Sequence, residues 1–330
     1  LECFQGYLGW LDNISLAAKI RILRALLPSV QDLGQFKWRH GFEASFREVQ
    51  APCLTTFAVR LEEVDEDEDR AVFSSNVLEA APAVTRLQIR DFCARLHDAA
   101  VWHSISEALR HGAPCNLLEL EMEFCFGGDG NFQRVIHALA GSACSKRLLS
   151  LTFDDCGIDA GGVLVLADHL GRDAFPALKE LRITNSPRIA DVGVVALAEA
   201  LRKPTQTMLT HLDLINVGMA DDGMTALASV ISEGRFDELD VLDLTNQGLI
   251  ALARAIETKW LPVLGNFVLY ALNDDQVTLL GISAIAHAVI KGCPDLTLIV
   301  LTNSGPGEDH HEMVLGMLEA TGRKGKVSVG

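Results

Sequence analysis

A leucine pattern that returns about every thirty residues limits what this chain can fold into. The pattern L-x-x-L-x-L occurs four times in near-register, beginning at Leu148, Leu178, Leu209 and Leu239, with Phe153 and Ile183 as the last apolar residue of the first two units. Each occurrence alternates apolar and polar residues, as a half-buried β-strand does. The stretches between them, such as residues 159–171, place apolar residues three and four apart, which indicates amphipathic helices. A period of this length predicts strand–helix units stacked into a solenoid.

The packing distances of strands and helices predict the curvature of such a solenoid. Neighbouring strands in a sheet stack about 4.8 Å apart, whereas packed helices need about 8–10 Å between their axes. The strands are therefore expected on the inner side of the curve and the helices on the outer side. We predict an α/β horseshoe solenoid with a parallel β-sheet on its concave face and α-helices on its convex face.

The repeat extends, less regularly, toward both ends of the chain. Similar segments begin at Leu54, Val84, Leu117, Leu264 and Leu296. We expect residues 51–330 to form about nine strand–helix units, including a C-terminal cap. Residues 1–50 are expected to form an N-terminal helical cap with an irregular first repeat, because end repeats must cover an otherwise open apolar surface.

The repeated segments resemble the leucine-rich repeats of the ribonuclease-inhibitor-like class. The signature of that class, L-x-x-L-x-L-x-x-C/N, is met from Leu148 to Cys156, and from Leu117 to Cys125 with Met122 as its third apolar residue. The later units have other residues at the ninth position, namely Ser186, Val217 and Gln247. The resemblance covers roughly residues 30–330. It implies a leucine-rich-repeat horseshoe that binds a protein partner through its concave face.

The charge of the chain disfavours some classes of function. The formal net charge is −16 and the pI is near 5.0. Binding to nucleic-acid phosphates requires clustered Lys and Arg, so we expect no nucleic-acid partner. A protein partner with a basic surface would instead be attracted. No uninterrupted run of 18 apolar residues occurs, so we expect no transmembrane segment.

The cysteines indicate a reducing environment. Eight occur, without a C-x-x-C pair or a Cys/His spacing typical of zinc sites. Most lie among apolar residues, which favours reduced, buried thiols. We therefore expect a cytoplasmic protein with no metal and no cofactor. Because the sequence begins at Leu1 rather than Met, the presence of a preceding targeting signal or further domain is left open.

Three short stretches suggest chemistry, but each lacks a defining residue. The stretch HHEMV at 310–314 lacks the second His of H-E-x-x-H. The stretch FGGDGNF at 126–132 lacks the G-K-[ST] ending of a phosphate loop. The acidic run at 62–69 lacks the alternating spacing and central glycine of a calcium loop, and we interpret it as a solvated loop. We expect no catalytic residues. A metal ion, a phosphate group and a basic partner are the alternatives at these stretches.

Residues that flank the buried leucines are expected to line the concave face. This face is basic from Arg86 to Arg90, acidic from Glu119 to Asp154, and increasingly apolar toward the C-terminus. The predicted partner-binding residues are Glu121, Glu123, Asp154, Arg182, Asp213, Ile215, Val241, Asp243, Val268 and Tyr270. Interfaces concentrate aromatic and aliphatic residues at their centres. We therefore expect the contact strip to consist of Ile215, Val241, Val268 and Tyr270.

The sequence favours a non-catalytic scaffold that binds one partner protein. One alternative is a regulator of an enzyme, such as a GTPase-activating protein or a ubiquitin-ligase substrate adaptor. The other is a permanent structural subunit of a larger assembly. A regulator predicts changed turnover in its partner, whereas a permanent subunit predicts an unusually apolar convex or end surface. The sequence identifies neither the partner nor the oligomeric state.

Overall fold

The computed structural model describes most of the chain between residues 15 and 270 and short segments beyond. The described residues are 15–37, 45–46, 48–61, 75–91, 99–125, 130–203, 209–236, 238–245, 249–258, 264, 266–270, 284–285, 287–288, 291, 298–302 and 326–329. The chain divides into two compact units, Leu1–Gly157 and Ile158–Gly330. Both units alternate strands with helices.

The described part of the first unit contains parallel strands connected by helices. Its strands are β1 (Asp32–Lys37), β2 (Thr56–Leu61), β3 (Arg86–Asp91), β4 (Glu119–Glu123) and β5 (Ser150–Asp154). Its helices are α1 (Leu16–Leu26), α2 (Ser75–Glu79), α3 (Ala99–Arg110) and α4 (Asn131–Gly141). Each strand pairs in parallel with the next one along the chain. This order is expected because parallel neighbours need a crossover connection.

The second unit repeats the same arrangement in its described residues. Its strands are β6 (Glu180–Thr184), β7 (His211–Leu214), β8 (Val241–Thr245), β9 (Asn266–Tyr270), β10 (Leu298–Thr302) and β11 (Lys326–Val329). Its helices are α5 (Ala160–Gly171), α6 (Ala190–Leu201), α7 (Asp221–Ser232) and α8 (Leu249–Thr258). Consecutive strands from β6 to β11 again pair in parallel.

The residues of the leucine pattern form the core of each unit. In β4 and β5, Leu120, Met122, Leu151 and Phe153 are buried, while the residues between them are half-exposed. Phe153 also meets Phe132 of α4 edge-to-face, with ring centroids 5.0 Å apart. Burying each large apolar side chain contributes about 1.5–3 kcal/mol to folding. The predicted α/β class, with parallel strands alternating with helices, is confirmed in both units.

In the four repeats whose ninth position the structure describes, this residue is buried: Cys125, Cys156, Ser186 and Val217. Three of them form hydrogen bonds to backbone carbonyls through their side chains. The Cys156 thiol donates to the Met122 and Asp154 carbonyls, both at 3.3 Å. The Ser186 hydroxyl donates to the Thr184 carbonyl, also at 3.3 Å. Val217 is fully buried without a side-chain donor. At these four positions a small side chain is buried and its hydrogen bond is not required, so cysteine, serine and valine can each occupy the position.

Aspartate side chains begin two helices of the second unit, and one of them links neighbouring repeats. Asp159 accepts a hydrogen bond from the Gly162 N–H at 2.8 Å and caps α5. Asp191, in the first turn of α6, accepts from the N–H groups of Ala220 and Gly223 at 2.7 and 2.8 Å. It thereby satisfies N–H groups that α7 leaves unpaired at its own start. The sequence predicts aspartate at these helix starts. The structure shows that Asp191 serves the following helix.

The predicted N-terminal helix is present as α1. At its start, the Ser15 side chain accepts a hydrogen bond from the Ala18 N–H. Leu23 within the helix and Leu27 directly after it are buried. The helix is also tied to the chain that follows β1, because Arg24 and Glu48 form an ion pair at 2.8 Å. The role of residues 1–50 as an end cap stays a prediction.

Candidate protein-binding face

The alternation of burial along the strands defines one surface of each unit, here called the strand face. Buried residues of β4, β5 and β6 point into the core, and the residues between them are half-exposed on the strand face. Because strands β2 to β5 pair in register, equivalent residues form rows across the first unit. The same holds for β6 to β11 in the second unit. Nine of the ten predicted partner-binding residues lie on these strands, and the tenth, Ile215, follows the end of β7. Their role in binding a partner stays a prediction.

In the first unit the basic and acidic parts of the strand face neutralise one another. Arg86 lies beside Glu119 in register and pairs with it at 2.6 Å. Arg90 forms an ion pair with Glu123 and a longer one, at 3.7 Å, with Glu121. The Gln88 side chain donates a hydrogen bond to Glu121 between these two arginine pairs. Opposite charges facing each other across strands stabilise a sheet by about 0.2–1 kcal/mol per pair.

This ladder of cross-strand pairs changes the expectation for Glu121 and Glu123. The sequence presents them as an acidic surface for a basic partner. In the structure both carboxylates already have cationic or amide partners on β3. A partner that bound them would have to replace these interactions, so the net attraction is small. Asp154 follows Glu123 in the same row, on β5, and is half-exposed.

Two polar residues of β7, Asp213 and His211, have side-chain hydrogen bonds within the second unit. Arg182 is half-buried and lies in register with Asp213. Asp213 itself is only 8% exposed and accepts a hydrogen bond from the Ile215 N–H at 3.2 Å. A side chain so enclosed contributes to the turn after β7 more than to any partner contact. His211 is also hydrogen-bonded within this unit, because the Thr210 hydroxyl lies 2.9 Å from the His211 Nδ1 atom.

Toward β8, β9 and β10 the rows contain more apolar residues, although Asp243, Thr245 and Asn266 lie among them. Ile215 and Val241 are half-exposed. The register places Val268 between Asp243 and Val300, and Tyr270 beside Thr245. The side chains of Asp243, Val268 and Tyr270 lie outside the described part of the chain, so these three are placed by their backbone alone. The predicted contact strip therefore occupies adjacent strands of one unit.

The backbone register alone places two further apolar residues in the same rows, which the sequence did not single out. Leu298 pairs in register with Asn266, and Val300 with Val268. They extend the same rows by one strand. Their signal in the sequence is the alternation around Ile299 and Leu301, which places residues 298 and 300 on the side opposite those two.

The turn after each central strand carries a second regular feature. One of the first two residues after the strand has a left-handed backbone, namely Phe124, Asp155, Asn185 and Asn216, with φ of 58°, 47°, 53° and 54°. In the second unit, the Asn216 side-chain amide donates to the Asn185 side-chain oxygen at 3.1 Å. Asn and Asp tolerate this conformation better than other non-glycine residues. Phe124 breaks the rule and is 37% exposed.

The described cysteines are free thiols, and three of them are part of the packed core. Cys125, Cys144 and Cys156 are buried, whereas Cys53 and Cys115 are exposed. Burial raises the pKa of the Cys144 thiol, although its contact with the Ser142 hydroxyl at 3.0 Å acts in the opposite direction. The thiol is therefore protonated at neutral pH and a poor nucleophile.

Within the described residues, no three His, Cys, Asp or Glu side chains come together in a way that could hold a metal ion. No helix in that part of the chain is long and apolar enough to cross a membrane. The stretches at 62–69 and 310–314 lie outside the described residues, as does 126–129 of the glycine-rich stretch. The alternatives named for these stretches stay predictions.

Comparison with known proteins adds little to this description. No family model matches the chain, and no curated protein matches it. A chain in the crystal structure of the Rad7 and Elc1 complex in yeast is similar, with a TM-score of 0.44 and 14% sequence identity. The similarity covers 94% of this chain and 82% of the other. At this level, the likeness identifies neither a function nor a partner.

Proposed function

We propose that this chain is a non-catalytic protein-interaction scaffold that binds a partner through the strand face of its second unit. It would belong to the ribonuclease-inhibitor-like class of leucine-rich-repeat proteins and act in the reducing cytoplasm. The observation that supports this most is the register of β8, β9 and β10. It brings Val241, Val268, Val300 and Leu298 to neighbouring rows of the strand face, with Tyr270 at the end of β9.

The contrast between the two units explains why we place the contact in the second. On the first unit, Arg86 and Arg90 are already paired with the glutamates of β4. Binding there exchanges one set of polar contacts for another, with little net gain. An apolar strip gains free energy from contact with a partner because it removes apolar surface from water. The acidic character of the chain would then act over longer range, favouring a partner with a basic surface.

The test is an affinity pull-down from lysate of the source cells with V241E/Y270E, at low and high salt. Two charges in the apolar strip should abolish capture of the partner, because a buried unpaired charge is strongly unfavourable. Capture by the wild type should survive high salt, since the anchor is apolar. The matched control is S150E/T152E, which places the same two charges on the strand face of the first unit and should retain the partner.

Equal capture by V241E/Y270E and the wild type would show that the strip is only sheet surface. The regulator alternative is tested on the same material. If the captured partner is an enzyme, its turnover is measured with and without the wild type and V241E/Y270E. A change that only the wild type produces would make this chain a regulator rather than a passive scaffold.

A further inference from the structure

The helices of the second unit carry exposed aliphatic side chains on the side away from the strands. Among the residues that the structure describes, three large hydrophobic side chains are exposed, and two of them lie on adjacent helices. Leu164 of α5 is 46% exposed and Val192 of α6 is 62% exposed. Single exposed hydrophobic residues are normal on protein surfaces, but neighbouring ones form a patch that marks interaction sites.

Comparison among the repeats shows that this patch is not a requirement of the fold. Counted from the buried glycine near the start of each helix, Leu164 occupies the position of Thr225 in α7. By the same count, Val192 occupies the position of Asp222. Since α7 forms the same helix with polar residues at these positions, the aliphatic residues on α5 and α6 are not needed for folding.

Further apolar residues of the same two helices are partly exposed. Val195 and Ala196 lie three and four residues after Val192, on the same face of α6, and Val165 follows Leu164 in α5; all three are half-exposed. Together with Leu164 and Val192 they form what we call the helix-side patch. Toward the C-terminal ends of these helices the surface becomes polar, where Asp168 pairs with Arg172 at 2.9 Å and Glu199 pairs with Arg202 at 2.7 Å.

The charge on the α7 side of the patch is negative. Asp221 and Asp222 are exposed in the first turn of α7, beside α6. Neither has an ion pair with a cation among the described residues. They lie where the next helix packs, about 8–10 Å from α6 by ordinary helix spacing. A ligand that covers Val192 would therefore bring its own flank close to these two carboxylates.

We propose that the helix-side patch binds a basic amphipathic helix of a partner protein. Its aliphatic stripe would cover Leu164 and Val192, and its Lys or Arg flank would meet Asp221 and Asp222. A second copy of this chain fits the site less well. A symmetric pair would bring identical surfaces together, and so would place two acidic rims of a protein with net charge −16 near each other. The proposal concerns a surface separate from the strand face and does not depend on the function proposed above.

The experiment measures binding of fluorescein-labelled helical peptides to the full chain by fluorescence anisotropy. The first peptide has a leucine stripe flanked by lysines. The second keeps the lysines but replaces the stripe with serine, and the third keeps the stripe but replaces the lysines with glutamates. We expect the first peptide to bind and the other two to bind at least about tenfold more weakly, a difference of about 1.4 kcal/mol.

Two variants locate the binding site. L164T/V192D gives α5 and α6 the residues that α7 carries at the same repeat positions, and an aspartate in the first turn favours the helix. It should fold like the wild type by circular dichroism and bind the first peptide at least about tenfold more weakly. D221N/D222N keeps the aliphatic residues, and should weaken binding and reduce its dependence on salt. S150E/T152E, on the strand face of the first unit, should bind the peptide like the wild type.

Three outcomes would overturn the proposal. Equal binding of the leucine–lysine peptide to the wild type and L164T/V192D would place binding elsewhere. Equal binding of the serine–lysine peptide would reduce the interaction to net charge. Sedimentation velocity supplies the third. If the wild type dimerises, L164T/V192D stays monomeric and the peptide does not bind, the patch is occupied by a second copy of this chain.

Discussion

After each of the strands β4 to β7, one of the first two residues adopts a backbone conformation that most amino acids avoid. Asn185 and Asn216 have φ near +50°, and their side chains are hydrogen-bonded to each other at 3.1 Å. A left-handed backbone costs an ordinary residue about 1–2 kcal/mol because its Cβ crowds the following carbonyl oxygen. Asparagine reduces this cost with a short side chain that bonds locally. An asparagine at this position therefore lowers the free-energy cost of the turn that ends the strand.

Substitution of Asn216 separates the backbone effect from the side-chain bond. Asn216→Ala removes both the hydrogen bond and the tolerance of positive φ, and should lower the free energy of unfolding by about 1–2 kcal/mol. Asn216→Gly removes the bond alone, because glycine adopts positive φ readily, and should cost less than half as much. Urea denaturation followed by circular dichroism measures both values. Equal losses in the two variants would show that the backbone conformation is not the source.

At this scale the sequence is only partly informative. Asn185 and Asn216 are the residues expected at a left-handed position, so these turns were predictable in principle. Phe124 was not, because nothing in its type indicates a φ of 58°. The exposure of Leu164 and Val192 was not predictable either. Their helices carry apolar residues on most sides, so the sequence alone does not indicate which side is exposed to solvent.

Neighbouring helices of the second unit approach closely through a glycine near the start of α7. A Cβ atom at Gly223 would lie 2.7 Å from the Asp191 carboxylate oxygen and 3.1 Å from the Val194 Cβ atom. The Asp191 oxygen cannot retreat freely, because it accepts hydrogen bonds from the Ala220 and Gly223 N–H groups. The glycine and the aspartate thus form one contact between repeats.

Replacing Gly223 with alanine tests this contact by the sign of its effect. Helix propensity alone favours alanine over glycine by about 1 kcal/mol. Overpacking against Asp191 should outweigh that gain and lower the free energy of unfolding by about 1–3 kcal/mol. The matched control is Gly141→Ala, at the end of α4, where an added Cβ meets no atom within 4 Å. Chemical denaturation should show Gly141→Ala neutral or stabilising. A stabilising Gly223→Ala would contradict the close approach.

Elements were easier to predict than the contacts between them. The strands and helices follow from the alternation around residues such as Leu151 and Leu212 and from the helical spacing that comes after. The pairing of Arg86 with Glu119 needed the register of β3 on β4, which similar repeat lengths only suggest. The bond from Asp191 to the next helix depends on side-chain geometry that no local pattern contains. The paired charges on β3 and β4 were likewise not predicted, and the binding role of the candidate strip stays a prediction.

Within each unit, the described helices and strands contact their neighbours along the chain. In the described residues, α6 packs on α5 and α7, and each strand pairs with the one before and the one after within its unit. A chain built this way has a stability close to the sum of its repeats and their interfaces. A substitution that weakens one repeat should therefore destabilise that repeat and its neighbours, and leave distant repeats unchanged.

Hydrogen exchange of Gly223→Ala measures this locality. We expect faster amide exchange in α7 and in the repeats beside it, because the contact that is lost joins α6 to α7. Exchange in α3 and α4 of the first unit should match the wild type. Mass spectrometry of peptic fragments resolves these regions. An equal acceleration in every fragment would mean that the chain opens as a single cooperative body.

The paired charges on β3 and β4 also bear on how accurately the chain assembles. A strand that slips by two residues keeps its apolar side chains facing inward, so hydrophobic burial alone rejects such an error weakly. In the native register, Arg86 meets Glu119 and Arg90 meets Glu123. A slip by two residues in either direction leaves only one arginine opposite a glutamate. These exposed polar residues thus favour the native register of β3 on β4 over a register shifted by two residues. The buried leucines alone distinguish the two registers only weakly.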